Sequence, residues 1–126
     1  MMEFGYIGIN YKNADQDIRD GVSFTDNGKI DFMEKAADAG ISQCMVLSTC
    51  NRSEVYYLVQ DTEEHKAMER LYRGNFSAIC LDEYLDFRSG KEAIAYLFRV
   101  TAGLESMVLG EDQILGQVKE ACELSQ

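Results

Sequence analysis

Residues 4–11 alternate aromatic and aliphatic side chains with Gly5 and Gly8, which predicts a strand that another backbone approaches closely. Residues 12–25 are polar without a period and read as irregular. Asp26-Asn27 then offers a helix cap, Ile30, Met33 and Ala37 recur at helical spacing, and Gly40 is a natural stop. Residues 41–48 predict a second strand. Residues 54–59 predict a third, apolar on both faces and therefore central in its sheet.

Thr62 opens a further helix with Met68, Leu71 and Tyr72 on one side, and residues 78–87 hold a weak fourth strand or an irregular crossing. Ser89 with Glu92 three residues on forms a capping box for a helix whose stripe is Ile94, Leu97, Phe98 and Thr101. Tyr96 falls on another side, turned by about 200° from Ile94. Gly103 ends that helix. A last one begins near Asp112 with Ile114, Val118, Ala121 and Cys122 inward. This order predicts an α+β fold, most economically a ferredoxin-like α/β sandwich with an antiparallel sheet plus C-terminal helices.

At 126 residues the chain makes one domain, and its charged fraction of 27% is that of a soluble globular protein. It has no proline and no repeat that would mark a linker. No apolar run reaches membrane-spanning length and Met1-Met2-Glu3 does not open a signal peptide, so the expected location is cytoplasmic. The net charge of −10 leaves no basic footprint for nucleic acid over the whole chain, so any RNA contact needs a local arginine cluster or another part of a larger protein. Four cysteines at 44, 50, 80 and 122 form no CxxC pair and His65 is the one histidine, so no metal site is expected. Cys44, Cys80 and Cys122 read as small core residues, and His65, in an acidic helix start, as a solvated histidine.

Cys50 differs through its neighbours. In Ser48-Thr49-Cys50-Asn51-Arg52 it follows an apolar run that delivers it to a strand end, with hydroxyls on one side and a guanidinium on the other to favour the thiolate. On the residues alone a nucleophile and a strand-end core cysteine are equally good readings. The stretch from Gly103 to Gln117 is rich in Gly, Gln and acid. Gln113 and Gln117 share a helix face, Glu111 precedes it and Ser106 lies in the turn before, a face suited either to an amino-acid head or simply to solvent.

Gly8-Ile9-Asn10-Tyr11-Lys12, Ser48 through Tyr56, and Leu97-Phe98-Arg99-Val100 running on to Gln117 resemble, in order and spacing, the front of the glutamyl-tRNA reductases. The resemblance covers nearly the whole chain, 1–126, and only that family's N-terminal catalytic, substrate-binding domain. It implies reduction of glutamate esterified to tRNA into glutamate-1-semialdehyde with NADPH, the opening step of tetrapyrrole synthesis. Carried over, it makes Cys50 the nucleophile that forms a thioester, with Thr49, Asn51 and Arg52 flanking the substrate. Ser106, Glu111, Asp112, Gln113 and Gln117 become further glutamate-binding positions, and Tyr96 occupies a catalytic position. A guanidinium such as that of Arg52 suits a carboxylate. The implied partners are glutamyl-tRNA and the downstream aminomutase, and the family is dimeric through a region absent here.

The chain departs from the family pattern at three places: Tyr96 and Tyr11 stand where His is usual, and Asp112 where Pro is usual. Tyrosine hydrogen-bonds but is a poor acid–base group at neutral pH. No Gly-rich dinucleotide fingerprint is present, so NADPH and dimerisation belong to domains outside this chain, and the last helix runs uncapped to Gln126. The alternative is a divergent, non-reducing paralogue that binds a ligand or partner protein. A thiol redox protein is a weaker reading, since Cys50 has no resolving cysteine nearby in sequence.

Overall fold

The computed structural model describes residues 2–102. They form β1 (Glu3–Asn10), α1 (Gln16–Gly21), α2 (Asp26–Asp38), β2 (Cys44–Thr49), β3 (Arg52–Val59), α3 (Thr62–Asn75), β4 (Asp86–Ser89) and α4 (Lys91–Thr101). The sheet order is β2-β3-β1-β4 with every neighbouring pair antiparallel. That is the split βαβ arrangement of a ferredoxin-like sandwich, as the element order predicts. The last predicted helix, with Cys122, lies outside the described residues.

Alternation along the strands sends successive side chains to opposite faces. Ile7, Ile9, Val46, Val55 and Val59 pack with Phe32, Ala36, Met68 and Tyr72 beneath α2 and α3. Each fully buried Val, Ile, Phe or Met side chain among them stabilises the fold by about 1.5–3 kcal/mol. On the other face Tyr6, Leu47 and Tyr56 meet Ala93, Tyr96 and Val100 of α4.

Three helices differ from their sequence reading. The irregular stretch contains α1, capped by Asp15, whose carboxylate accepts from Ile18 N at 3.1 Å. A helix of six residues that fully buries none of them has no apolar stripe to detect. In α2 the cap is Thr25 and the inward residues are Lys29, Phe32 and Ala36, which leaves Ile30 and Ala37 exposed. The stripe read from sequence was one position out of phase.

The same slip affects α4. Ala93, Tyr96 and Val100 face the sheet, whereas Ile94 and Phe98 are 41% and 67% exposed. Tyrosine is the largest inward side chain of this helix because its hydroxyl finds partners below it. No capping box forms: Glu92 pairs with Arg88 at 3.2 Å and Gly90, at φ +61°, turns the chain into the helix without a side-chain cap. Its N–H donates to Phe4 O at 2.7 Å.

Gly8 stands opposite Glu54 in the β1–β3 ladder. A Cβ there would lie 2.8 Å from both Glu54 Cγ and Tyr6 Oη and 3.0 Å from Ser53 O. Gly8→Ala is expected to lower unfolding stability by about 1–3 kcal/mol through overpacking, measured as a fall in the urea midpoint.

Candidate functional site

β2 and β3 are joined by the tightest connection available to antiparallel strands. Thr49 pairs with Arg52, and Cys50 and Asn51 make the turn between them. Asn51 N–H donates to Thr49 Oγ1 at 3.1 Å, and the Cys50 thiol donates to Asn51 Oδ1 at 3.8 Å. The tip is therefore ordered by its own polar side chains, and Cys50 is exposed there. Cys44, at the other end of β2, is buried, and desolvation pushes its thiol up to about 11. Cys80, expected in the core, is exposed, with its sulfur 3.9 Å from Asp82 Oδ2.

The segment from α1 to Phe24 runs alongside this hairpin. Arg19 Nε donates to Cys50 O at 3.1 Å and its Nη1 to Ala14 O at 3.0 Å. Phe24 N–H donates to Ser48 Oγ at 3.0 Å, and Ser53 Oγ donates to Val22 O at 2.6 Å.

On the α4 face of the same hairpin lies a closed polar layer. Glu54 is fully buried. Its Oε2 accepts from Tyr6 Oη at 2.8 Å, Arg52 Nη1 at 3.1 Å and Tyr96 Oη at 3.1 Å, and its Oε1 accepts from Tyr56 Oη at 3.0 Å. Tyr96 Oη also accepts from Asn10 Nδ2 at 3.0 Å and Arg52 Nη1 at 3.3 Å, so its one donor and two acceptor sites are all in use. Arg88 stacks on the Tyr96 ring 4.2 Å from its centroid. Burial raises the Glu54 carboxyl against the opposing pull of Arg52 and three tyrosine hydroxyls. Burial, reinforced by Glu54, also raises Tyr6, Tyr56 and Tyr96, so all three keep their protons at neutral pH and serve as donors.

The structure thus brings Thr49, Cys50 and Asn51 together at one tip and sets Tyr96 in the layer beneath. The Arg52 side chain is 0% exposed, and its Nη1 donates to Glu54 Oε2 and Tyr96 Oη. The arginine that grips the Cys50 residue is Arg19, which the sequence reading missed because α1 carries no periodic signal. Ser106, Glu111, Asp112, Gln113 and Gln117 lie outside the described residues. His65 is not a plainly solvated histidine either: Nε2 meets Glu3 Oε1 at 2.7 Å and Nδ1 meets Tyr57 Oη at 3.2 Å. They line a cleft of about 390 Å³ with Arg88 and Glu92, at the end of the sheet opposite Cys50.

Among the described residues no group of three or more His, Cys, Asp or Glu side chains could hold a metal ion, and no helix is long and apolar enough to cross a membrane. Their sheet has no adjacent parallel strands, unlike the doubly wound parallel sheet that holds a dinucleotide.

Residues 7–126 match the family described as glutamyl-tRNAGlu reductase, N-terminal domain. The glutamyl-tRNA reductase of Clostridium novyi (strain NT) is 42% identical over 125 residues, 98% of this chain and 30% of the relative. That of Alkaliphilus metalliredigens (strain QYMF) is 40% identical over 124 residues, 95% of this chain and 29% of the relative. The solved structure of the glutamyl-tRNA reductase from Methanopyrus kandleri superposes with a TM-score of 0.74 at 30% identity, covering 97% of this chain and 28% of that one. The chain spans somewhat under a third of the length of each of these relatives.

Proposed function

The chain belongs to the glutamyl-tRNA reductase family, as that family's N-terminal domain, and on that premise we propose that it carries the acyl-transfer half of the reductase reaction, with Cys50 as nucleophile. The Cys50 thiolate attacks the carbonyl carbon of the glutamyl ester. A C–S bond forms, the C–O bond to the tRNA's terminal ribose breaks, and the ribose oxygen leaves with a proton. The product is a glutamyl thioester on Cys50 and free tRNA. One observation carries this reading: Cys50 is an exposed thiol at a two-residue turn fixed from both flanks, whereas Cys44 is buried with its thiol pushed up to about 11.

Thr49 and Asn51 flank the acyl group in this proposal. Ser106, Glu111, Asp112, Gln113 and Gln117 complete the glutamate pocket. Arg52 and Tyr96 act from behind it, by holding Glu54 and Asn10 in place. Tyr96 keeps its proton and is assigned no acid–base step. The proposed overall product is glutamate-1-semialdehyde for tetrapyrrole synthesis, in the cytoplasm, passed on to the aminomutase. The hydride for that product would come from NADPH. The antiparallel sheet does not fit a dinucleotide, so no part of hydride transfer is assigned to the described residues. Its binding and the dimer contact are assigned to other domains.

The test is covalent capture. With glutamate-labelled glutamyl-tRNA and no NADPH, the intact protein is expected to retain label on the Cys50 peptide, released by hydroxylamine. Absence of label, or label on Cys44 or Cys80, overturns the proposal.

A further inference from the structure

Cys50 sits where a nucleophile is hardest to hold still, at the tip of a two-residue turn exposed to water. What aims its side chain is then the backbone on either side. The Cys50 carbonyl is bonded by Arg19 Nε, while Nη1 of the same guanidinium bonds Ala14 O, so one rigid fork ties the turn to the chain leaving β1. The flanking residues Ser48 and Ser53 are tied to Phe24 and Val22 of the same segment. α1 packs half-buried Ile18 against the core, while Arg19, the next residue, turns to the hairpin.

We propose that Arg19 is a positioning residue for acyl transfer, clamping the Cys50 carbonyl so that Sγ meets the face of the acyl carbonyl. The inference rests on Cys50 being the nucleophile. Lysine offers one point charge and cannot span both carbonyls, so Arg19→Lys should restore only part of what Arg19→Ala loses. Misplacing a reacting atom by about 1 Å costs on the order of 100-fold in rate. A surface clamp whose loss leaves the turn mobile is expected to cost about 10- to 100-fold.

The experiment measures single-turnover thioester formation from glutamyl-tRNA, and separately alkylation of Cys50 by iodoacetamide, in the intact wild-type, Arg19→Ala and Arg19→Lys proteins. Iodoacetamide needs an accessible thiol but no aimed approach. The expected result is a maximal acyl-transfer rate lowered by about 10- to 100-fold in Arg19→Ala. The half-saturating tRNA concentration should change less than about threefold and the alkylation rate less than about twofold, with Arg19→Lys in between. An unchanged acyl-transfer rate in both variants overturns the inference and leaves the role of Cys50 standing. Equal losses in acyl transfer and alkylation also overturn it, since they mark a less accessible or less reactive thiol and not a misdirected one. Undiminished acyl transfer in Cys50→Ser removes the premise itself, and is read independently of either Arg19 variant.

Discussion

Cys50→Ser will lower transfer of the glutamyl group from tRNA to protein by about 10⁴-fold or more, and Cys50→Ala will leave no acyl-protein at all. The size of the effect follows from what surrounds the atom. Among the described residues the thiol of Cys50 bonds the Asn51 amide oxygen at 3.8 Å, an acceptor that cannot take a proton away at neutral pH. A thiol tolerates that setting, because sulfur is intrinsically a far better nucleophile than a hydroxyl oxygen. A serine hydroxyl in the same place needs a base to activate it. Cys44→Ser and Cys80→Ser serve as controls. Cys44 is buried and its thiol is pushed up to about 11, and Cys80 lies beside the Asp82 carboxylate, so neither change should reach the acyl-transfer rate by more than about twofold. Quenched single-turnover assays with labelled glutamyl-tRNA measure all four proteins. A Cys50→Ser rate within tenfold of wild type would remove the thioester from the scheme.

The strands were legible because their pattern is local. Residues 4–11 and 54–59 carry enough aromatic and β-branched side chains to declare strands, and the sheet order follows from the split βαβ connection. The helix faces were less legible. In α2 and α4 the inward stripe includes Lys29 and Tyr96, residues whose polar ends disguise a buried stem, while Ile30, Ile94 and Phe98 face outward. Ranking positions by hydrophobicity therefore turned each helix by about 100°, one residue.

At the site the cysteine was readable from its place between a strand end and a polar turn. The roles of the two arginines were not. Arg52 is next but one to Cys50 in sequence, but residues two apart on a strand segment and its turn need not share a face, and β3 sends Arg52 inward to Glu54. Arg19 is 31 residues away from Cys50 and reaches its carbonyl through an element that no periodicity announces. A long-range contact made by one side chain to one backbone oxygen leaves no pattern in a single sequence.

The buried layer under the hairpin gives the largest expected effect on stability. The Arg52 and Glu54 side chains are both 0% exposed and 3.1 Å apart. Arg52→Met removes the cation and leaves a carboxylate held by tyrosine hydroxyls alone, which is expected to cost about 3–5 kcal/mol at pH 8. The pH dependence carries the sign. Glu54 titrates above its unfolded value because desolvation outweighs the pull of Arg52. The folded state thus favours the protonated acid, a contribution present below the unfolded value and lost as pH rises through the folded one. Taking Arg52 away removes the largest opposing pull and raises the folded value further. The deficit of Arg52→Met against wild type should therefore be smallest near pH 5 and widen toward pH 8. Arg52→Met with Glu54→Gln should recover part of the loss at pH 8, because a neutral amide can still accept from the tyrosines and no buried charge is left unpaired. Urea unfolding across that pH range measures each protein. A deficit that stays constant or narrows as pH rises would overturn this coupling between Arg52 and Glu54.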